Sequence, residues 1–126
     1  MSLTNYGERH LLALLKANDT LYLALMTADA DETGGGTEVS GGSYARQAVS
    51  LTDPATDGTG VTSMSNSAQI EFPTATASWG TVTGWALFDA LTSGNMVWFG
   101  TLSASKAISV NDTILLHVGD LVLKAE

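Results

Sequence analysis

The spacing of turn residues constrains this chain most. From Thr20 onward, short apolar runs alternate with clusters of Gly, Asn, Asp, Ser and Thr at roughly 8–12-residue intervals, a pattern that favours many short strands over long helices. Leu21, Leu23 and Leu25 alternate with Tyr22, Ala24 and Met26, so both faces of this run are apolar and it reads as a central strand covered on each side. Residues 82–88 and 96–99 flank Thr92-Ser93-Gly94-Asn95 and read as a hairpin. Residues 114–118 and 121–123, joined by Gly119-Asp120, read as a second hairpin closed by a type II′ turn. Weaker signals lie between: a run at 44–51, a loop at 53–60, and a strand around 68–72 ended by Pro73.

One segment has the other period. Residues 5–17 read as a helix, with Asn5 as N-cap and Glu8 completing a capping box. Leu11, Leu12, Leu14 and Leu15 form its apolar face, with Tyr6 on or near it. The expected fold is therefore mainly β, an antiparallel β-sandwich or barrel preceded by one short N-terminal helix. It is read as a single domain over 1–126, the β-region running from 20 to 126. The helix face docks on the sheet or on a neighbouring subunit, and the second option makes Tyr6, Leu11 and Leu15 interface candidates.

The most polar stretch is a long acidic, Gly-rich loop over 28–43. Its Asp29-Ala30-Asp31-Glu32-Thr33-Gly34 matches the first half of a calcium loop, with oxygens at alternate positions and a glycine at the sharp turn. Asp29, Asp31 and Thr33 are thus weak metal candidates. The second half fails, because Ser40 stands where a bidentate glutamate is needed and the nearest carboxylate is Glu38. The solvated loop is the better account, no metal or other cofactor is expected, and Glu38 joins the interface candidates.

Thirteen acidic residues against five basic ones give a formal charge of -8, which repels nucleic-acid phosphates and anionic lipid. Nucleic acid and membrane are not expected as partners. No apolar run reaches the roughly 18 residues of a spanning helix, and Met1-Ser2-Leu3-Thr4-Asn5 lacks the basic and apolar regions of a secretion signal, so cytoplasmic synthesis is expected. With no cysteine, the chain has neither disulfides nor thiol chemistry.

Catalytic signatures are missing: there is no GxSxG, HExxH or GxxxxGK[ST]. The two imidazoles, His10 and His117, lie at opposite ends of the chain. Trp85 and Trp98, on facing strands of the first hairpin, read as core; core packing is also the favoured reading of Trp79, although its place in a connection makes it the aromatic most open to exposure at a subunit contact or under a sugar, and so an interface candidate. Arg46 is expected to pair with an acid such as Asp89.

Two strings are more individual. Gly41-Gly42-Ser43-Tyr44-Ala45-Arg46-Gln47-Ala48-Val49 and Phe72-Pro73-Thr74-Ala75-Thr76-Ala77-Ser78-Trp79-Gly80-Thr81-Val82-Thr83 resemble a family of small tailed-bacteriophage virion proteins often labelled tail-fibre proteins. Phe88-Asp89-Ala90, Ser93-Gly94-Asn95, residues 100–106 and Gly119-Asp120-Leu121 extend the likeness to nearly the whole chain. The resemblance implies a noncatalytic virion component, made in the host bacterial cytoplasm, that self-associates as a homo-oligomer or docks on a larger capsid or tail protein. Capsid decoration and a tail-associated role are both compatible with it. A receptor- or carbohydrate-binding module, with a glycan as partner, is the alternative.

Overall fold

A computed structural model describes residues 4–18 and 20–125. Among these residues one helix, α1 (Asn5–Asn18), is followed by ten strands: β1 (Leu21–Ala28), β2 (Thr37–Glu38), β3 (Gln47–Val49), β4 (Ala55–Thr56), β5 (Thr62–Ser65), β6 (Ile70–Glu71), β7 (Gly80–Phe88), β8 (Met96–Ile108), β9 (Leu115–Leu116) and β10 (Val122–Ala125). The fold is mainly β with antiparallel pairing, as the turn spacing predicts. Contacts gather into two units: the described residues of Met1–Thr20, Val49–Ile70 and Leu116–Glu126 in the first, and Leu21–Ala48 and Glu71–Leu115 in the second.

In the first unit the helix begins one residue earlier than expected. The Thr4 hydroxyl accepts the Gly7 amide at 3.0 Å and the Thr4 carbonyl accepts the Glu8 amide at 2.9 Å, so Thr4 is the cap and Asn5 is already helical. Nor do the four leucines share one face. The 3.6-residue period puts Glu8, Leu12 and Leu15 on one stripe and Tyr6, His10 and Leu14 on the opposite one. Glu8 and Leu12 are buried, Leu15 is half-buried, and Tyr6, Leu11 and Leu14 are exposed. The helix packs on β5 and β4. Arg9 donates to the Thr56 hydroxyl at 2.7 Å, and Lys16 meets the Asp53 carboxylate at 2.8 Å.

The sheet under the helix has the order β10-β5-β4, with Leu123 opposite Met64 and Ala55 opposite Ser63. The expected second hairpin does not form. β10 pairs with β5, while β9 pairs with β6 in a separate two-stranded sheet. The turn between them spans His117 to Asp120, with the Asp120 amide donating to the His117 carbonyl at 3.0 Å and Gly119 at φ 86°. Glycine thus occupies the third turn position, where a type II turn needs positive φ, and the chain is released in a direction that β5 can capture.

The second unit is built on β2-β1-β7-β8, with β3 also pairing with β1. The central position expected for β1 holds: Leu21 and residues 23–26 are buried, and Leu25 lies opposite Trp85. β7 and β8 form the expected first hairpin, but β8 runs on to Ile108. Its register slips between the pairs Val82–Lys106 and Gly84–Thr101, so residues 102–105 bulge opposite Thr83 alone. Residues 101–107 are exposed throughout. The 28–43 segment is also not wholly loop: Glu38 registers with Met26, and Val39 is buried with its amide on the Leu25 carbonyl at 3.0 Å.

Candidate interaction site

The two strings that carry the family likeness meet in the second unit. Tyr44 stacks on Phe72 with ring centroids 6.2 Å apart, and Trp79 stands edge-on to both, at 5.4 Å from Tyr44 and 6.5 Å from Phe72. Trp79 is 4% exposed and its indole N–H donates to the Gly42 carbonyl at 2.9 Å. A Cβ on Gly42 would lie 2.8 Å from that same indole nitrogen, and Gly42 has φ 58°. Glycine is therefore required here both for its backbone conformation and for the close approach of the ring. Trp85 and Trp98, expected in the core, are half-buried instead. The glycine at 100 explains Trp85: a Cβ there would come within 2.6 Å of the Trp85 ring, which lies against that strand.

The tyrosine of this cluster is also its link to charge. The Tyr44 hydroxyl donates to Glu38 Oε2 at 2.6 Å and accepts the Leu25 amide at 3.0 Å. Arg46 grips the same carboxylate with two nitrogens, Nε to Oε2 at 2.9 Å and Nη2 to Oε1 at 2.8 Å. Its third nitrogen, Nη1, donates to the carbonyls of Ala90 and Ser93 at 2.9 and 2.8 Å, and the guanidinium sits 3.7 Å from the centroid of the Phe88 ring. Arg46 thus pairs with Glu38 and not with Asp89. The Asp89 oxygens are occupied by the amide and side chain of Asn95, which close the 89–95 turn.

The electrostatics follow from these bonds. Burial raises the Glu38 pKa, but the hydrogen bonds from Arg46 and Tyr44 and the Arg46 charge outweigh it and hold the carboxyl below its usual value. Burial, and then the Glu38 carboxylate, push the Tyr44 phenol far up, so it remains a neutral donor. The Glu38 bond raises the Arg46 pKa against a smaller opposing effect of burial. Such an arrangement holds a fixed charge pair and clamps three segments; no proton is left poised for transfer. An open groove of about 400 Å³ borders the cluster, edged by Gly41, Ala45 and Leu91, with Leu91 exposed.

The acidic loop is also committed to its own structure. Asp31 Oδ1 accepts the Thr33 amide, the Thr33 hydroxyl and the Gly35 amide at 2.9, 2.6 and 2.9 Å, an Asx-type turn. The Thr33 hydroxyl, then the Gly35 and Thr33 amides, lower the Asp31 pKa. Asp29 instead accepts the Thr83 hydroxyl of β7 at 2.7 Å. Asp31 and Thr33 are therefore together and Asp29 is turned to the sheet. Among the described residues no group of three or more His, Asp or Glu gathers as a metal site.

A second open groove, of about 370 Å³, lies between this loop and β8, with Asp31 and Glu32 on one side and Met96, Trp98 and Phe99 on the other. Neither half of it is distinctive in the sequence alone. Of the interface candidates, Tyr6 and Leu11 are exposed on α1, Leu15 is half-buried beneath it, Glu38 is held in the ion pair and Trp79 is enclosed.

No curated protein matches this sequence. The family model described as podophage GP4 fiber I protein gp80 matches residues 2–124. That span includes the Gly42–Trp79 contact, the Tyr44–Phe72 stack and the Glu38–Arg46 pair. The chain belongs to the podophage GP4 fiber I protein gp80 family.

Proposed function

We propose that this chain is a noncatalytic structural component of the phage virion that works by associating with copies of itself or by docking on a larger tail or capsid protein. The observation that carries the reading is membership of a phage fibre family over residues 2–124. The side chains support a structural role: the strongest polar cluster, Glu38–Tyr44–Arg46, has its hydrogen-bonding groups turned on one another and on backbone. The contact surfaces are the outward stripe of α1, the free edge of β8 and the acidic loop, because exposed apolar residues and unpaired strand edges are where a β-protein adds partners. A glycan-binding role resting on Trp79 has no support from a ring that is enclosed.

Negative-stain microscopy of purified virions labelled with an antibody against this chain tests the reading. Label at a fixed position on the particle is expected, and whether it lies on the tail or on the capsid decides between the two docking partners. Unlabelled particles, in a preparation where the antibody recognises the free chain, would overturn it.

A further inference from the structure

The helix of the first unit wears its polarity inside out. Its acidic and basic side chains are turned to the sheet: Glu8 is buried, Arg9 donates to the Thr56 hydroxyl and Lys16 meets the Asp53 carboxylate. The outward stripe of Tyr6, His10, Ala13 and Ala17, bordered by Leu14, is exposed and contains no Asp, Glu, Lys or Arg. A surface helix of ordinary amphipathicity has the reverse arrangement. Tyr6 is 69% exposed and stacks on His10 with ring centroids 5.7 Å apart, so two rings form a raised block at one end of the stripe and two alanines leave a hollow at the other.

The spacing of the stripe indicates what covers it. Positions 6, 10, 13 and 17 alternate steps of four and three, the spacing that packs one helix along another. Among the described residues α1 is the one helix, so a copy of this chain offers α1 itself. Charge agrees: at a net charge of -8 two copies repel wherever carboxylates face each other, and this stripe holds none. When two stripes run antiparallel about a centre between Leu11 and Leu12, position 6 of one copy faces position 17 of the other and position 10 faces position 13. Each layer then holds one ring and one methyl, the large-against-small alternation that fills a seam. A parallel pair would set ring on ring and methyl on methyl. The antiparallel sense also puts the positive N-terminal end of one helix beside the negative C-terminal end of the other.

We propose that α1 of one copy packs antiparallel on α1 of a second copy, with Tyr6 seated in the hollow at Ala17 and His10 over Ala13. A two-fold axis makes every contact twice, as a closed interface requires. The inference deepens the self-association reading and rests on it. The 14-residue helix is about 21 Å long, so contact along one side of it falls short of the roughly 800 Å² per partner of a standard stable interface. The pair is therefore weak between free chains and gains strength where copies are held close together.

Sedimentation of the purified full chain from about 10 µM to 1 mM covers the affinities of so small a contact. Reversible dimerisation is expected in that range. Tyr6→Ala should weaken it by about tenfold or more, and so should Ala17→Tyr, which sets ring against ring. The double variant should recover the native affinity, because every layer again has one ring and one methyl. Far-UV circular dichroism checks that these exposed substitutions leave the fold intact. The chain has no cysteine, so engineered thiols report the sense of the pair. Under oxidation Tyr6→Cys mixed with Ala17→Cys should cross-link, whereas Tyr6→Cys alone should not, its two thiols lying about 16 Å apart along an antiparallel pair. A chain monomeric at 1 mM, a double variant that fails to recover, or Tyr6→Cys cross-linking equally well to itself would each overturn the pair. A monomeric native chain whose Tyr6→Ala variant fails to enter the virion would overturn it too and give the stripe to a larger virion protein. Virion labelling is a separate readout: labelled particles with a monomeric chain sink this pair alone, and unlabelled particles with a rescued dimer sink the virion reading alone.

Discussion

Arg46 and Glu38 form a two-pronged ion pair, and the arginine's remaining nitrogen closes onto the carbonyls of Ala90 and Ser93. The arginine side chain is 8% exposed and the glutamate 24%. Removing the cation leaves a half-buried carboxylate and two carbonyls without a donor. Arg46→Ala is expected to cost about 3 kcal/mol, the lower end for a broken buried pair because Glu38 keeps some water. Arg46→Lys should recover less than half, since an ammonium cannot span both oxygens and both carbonyls. Urea and thermal unfolding of the two variants measure this.

The same pair sets an acid limit. Glu38 has a folded pKa below its unfolded value of about 4.5, so it contributes stability that is fully present above pH 4.5 and is lost as pH falls through the folded value. Asp31 and Asp57 have lowered values too and add in the same direction. Melting temperature should be flat near neutrality and fall below about pH 4.5. In Glu38→Gln the acid fall should be shallower than in the native chain. An equally steep fall would assign the acid sensitivity to the exposed aspartates.

Gly42 and Trp79 are a matched pair. Gly42→Ala places a methyl against the indole nitrogen at a positive φ, and should cost about 1–3 kcal/mol. Trp79→Ala empties an enclosed site beside Phe72 and should cost about 3–5 kcal/mol. Near-ultraviolet circular dichroism should lose the signal of the ordered indole in both variants.

Legibility in the sequence followed the range of the forces. The opening helix, the doubly apolar β1 and the β7–β8 hairpin show in the residues because each is specified by its own periodicity and local turn. β2 is too short to display a period inside a glycine-rich stretch, and it exists because Met26 and Leu25 offer it a ladder. The partner of β10 is β5, distant in sequence, and a local turn at Gly119 says nothing about which strand captures the chain. Trp79 is enclosed, as the favoured core reading has it, but that the bare backbone of Gly42 receives its indole is not visible in the sequence. Several acids are candidates for Arg46 in the sequence, and only the fold shows that Glu38 takes it while Asp89 is bonded to Asn95. The groove between Glu32 and Trp98 joins segments whose proximity depends on the same sheet.

The first unit turns on Asn66, whose side chain is fully buried. Its amide donates to the carbonyls of Ala68 and His117 at 2.8 and 2.9 Å, and its oxygen accepts the Leu121 amide at 2.9 Å. Asn66→Asp keeps the shape but removes both donations and sets a carboxylate against two carbonyls. It should cost about 2–4 kcal/mol, measured by urea unfolding.

The central claim is that this chain is a built-in part of the particle, acting through its surfaces. Quantitative mass spectrometry of gradient-purified virions tests it most directly. The account predicts the chain at a fixed ratio to known structural proteins, unchanged through repeated purification. Its absence, or a ratio that falls with each gradient, would contradict the account.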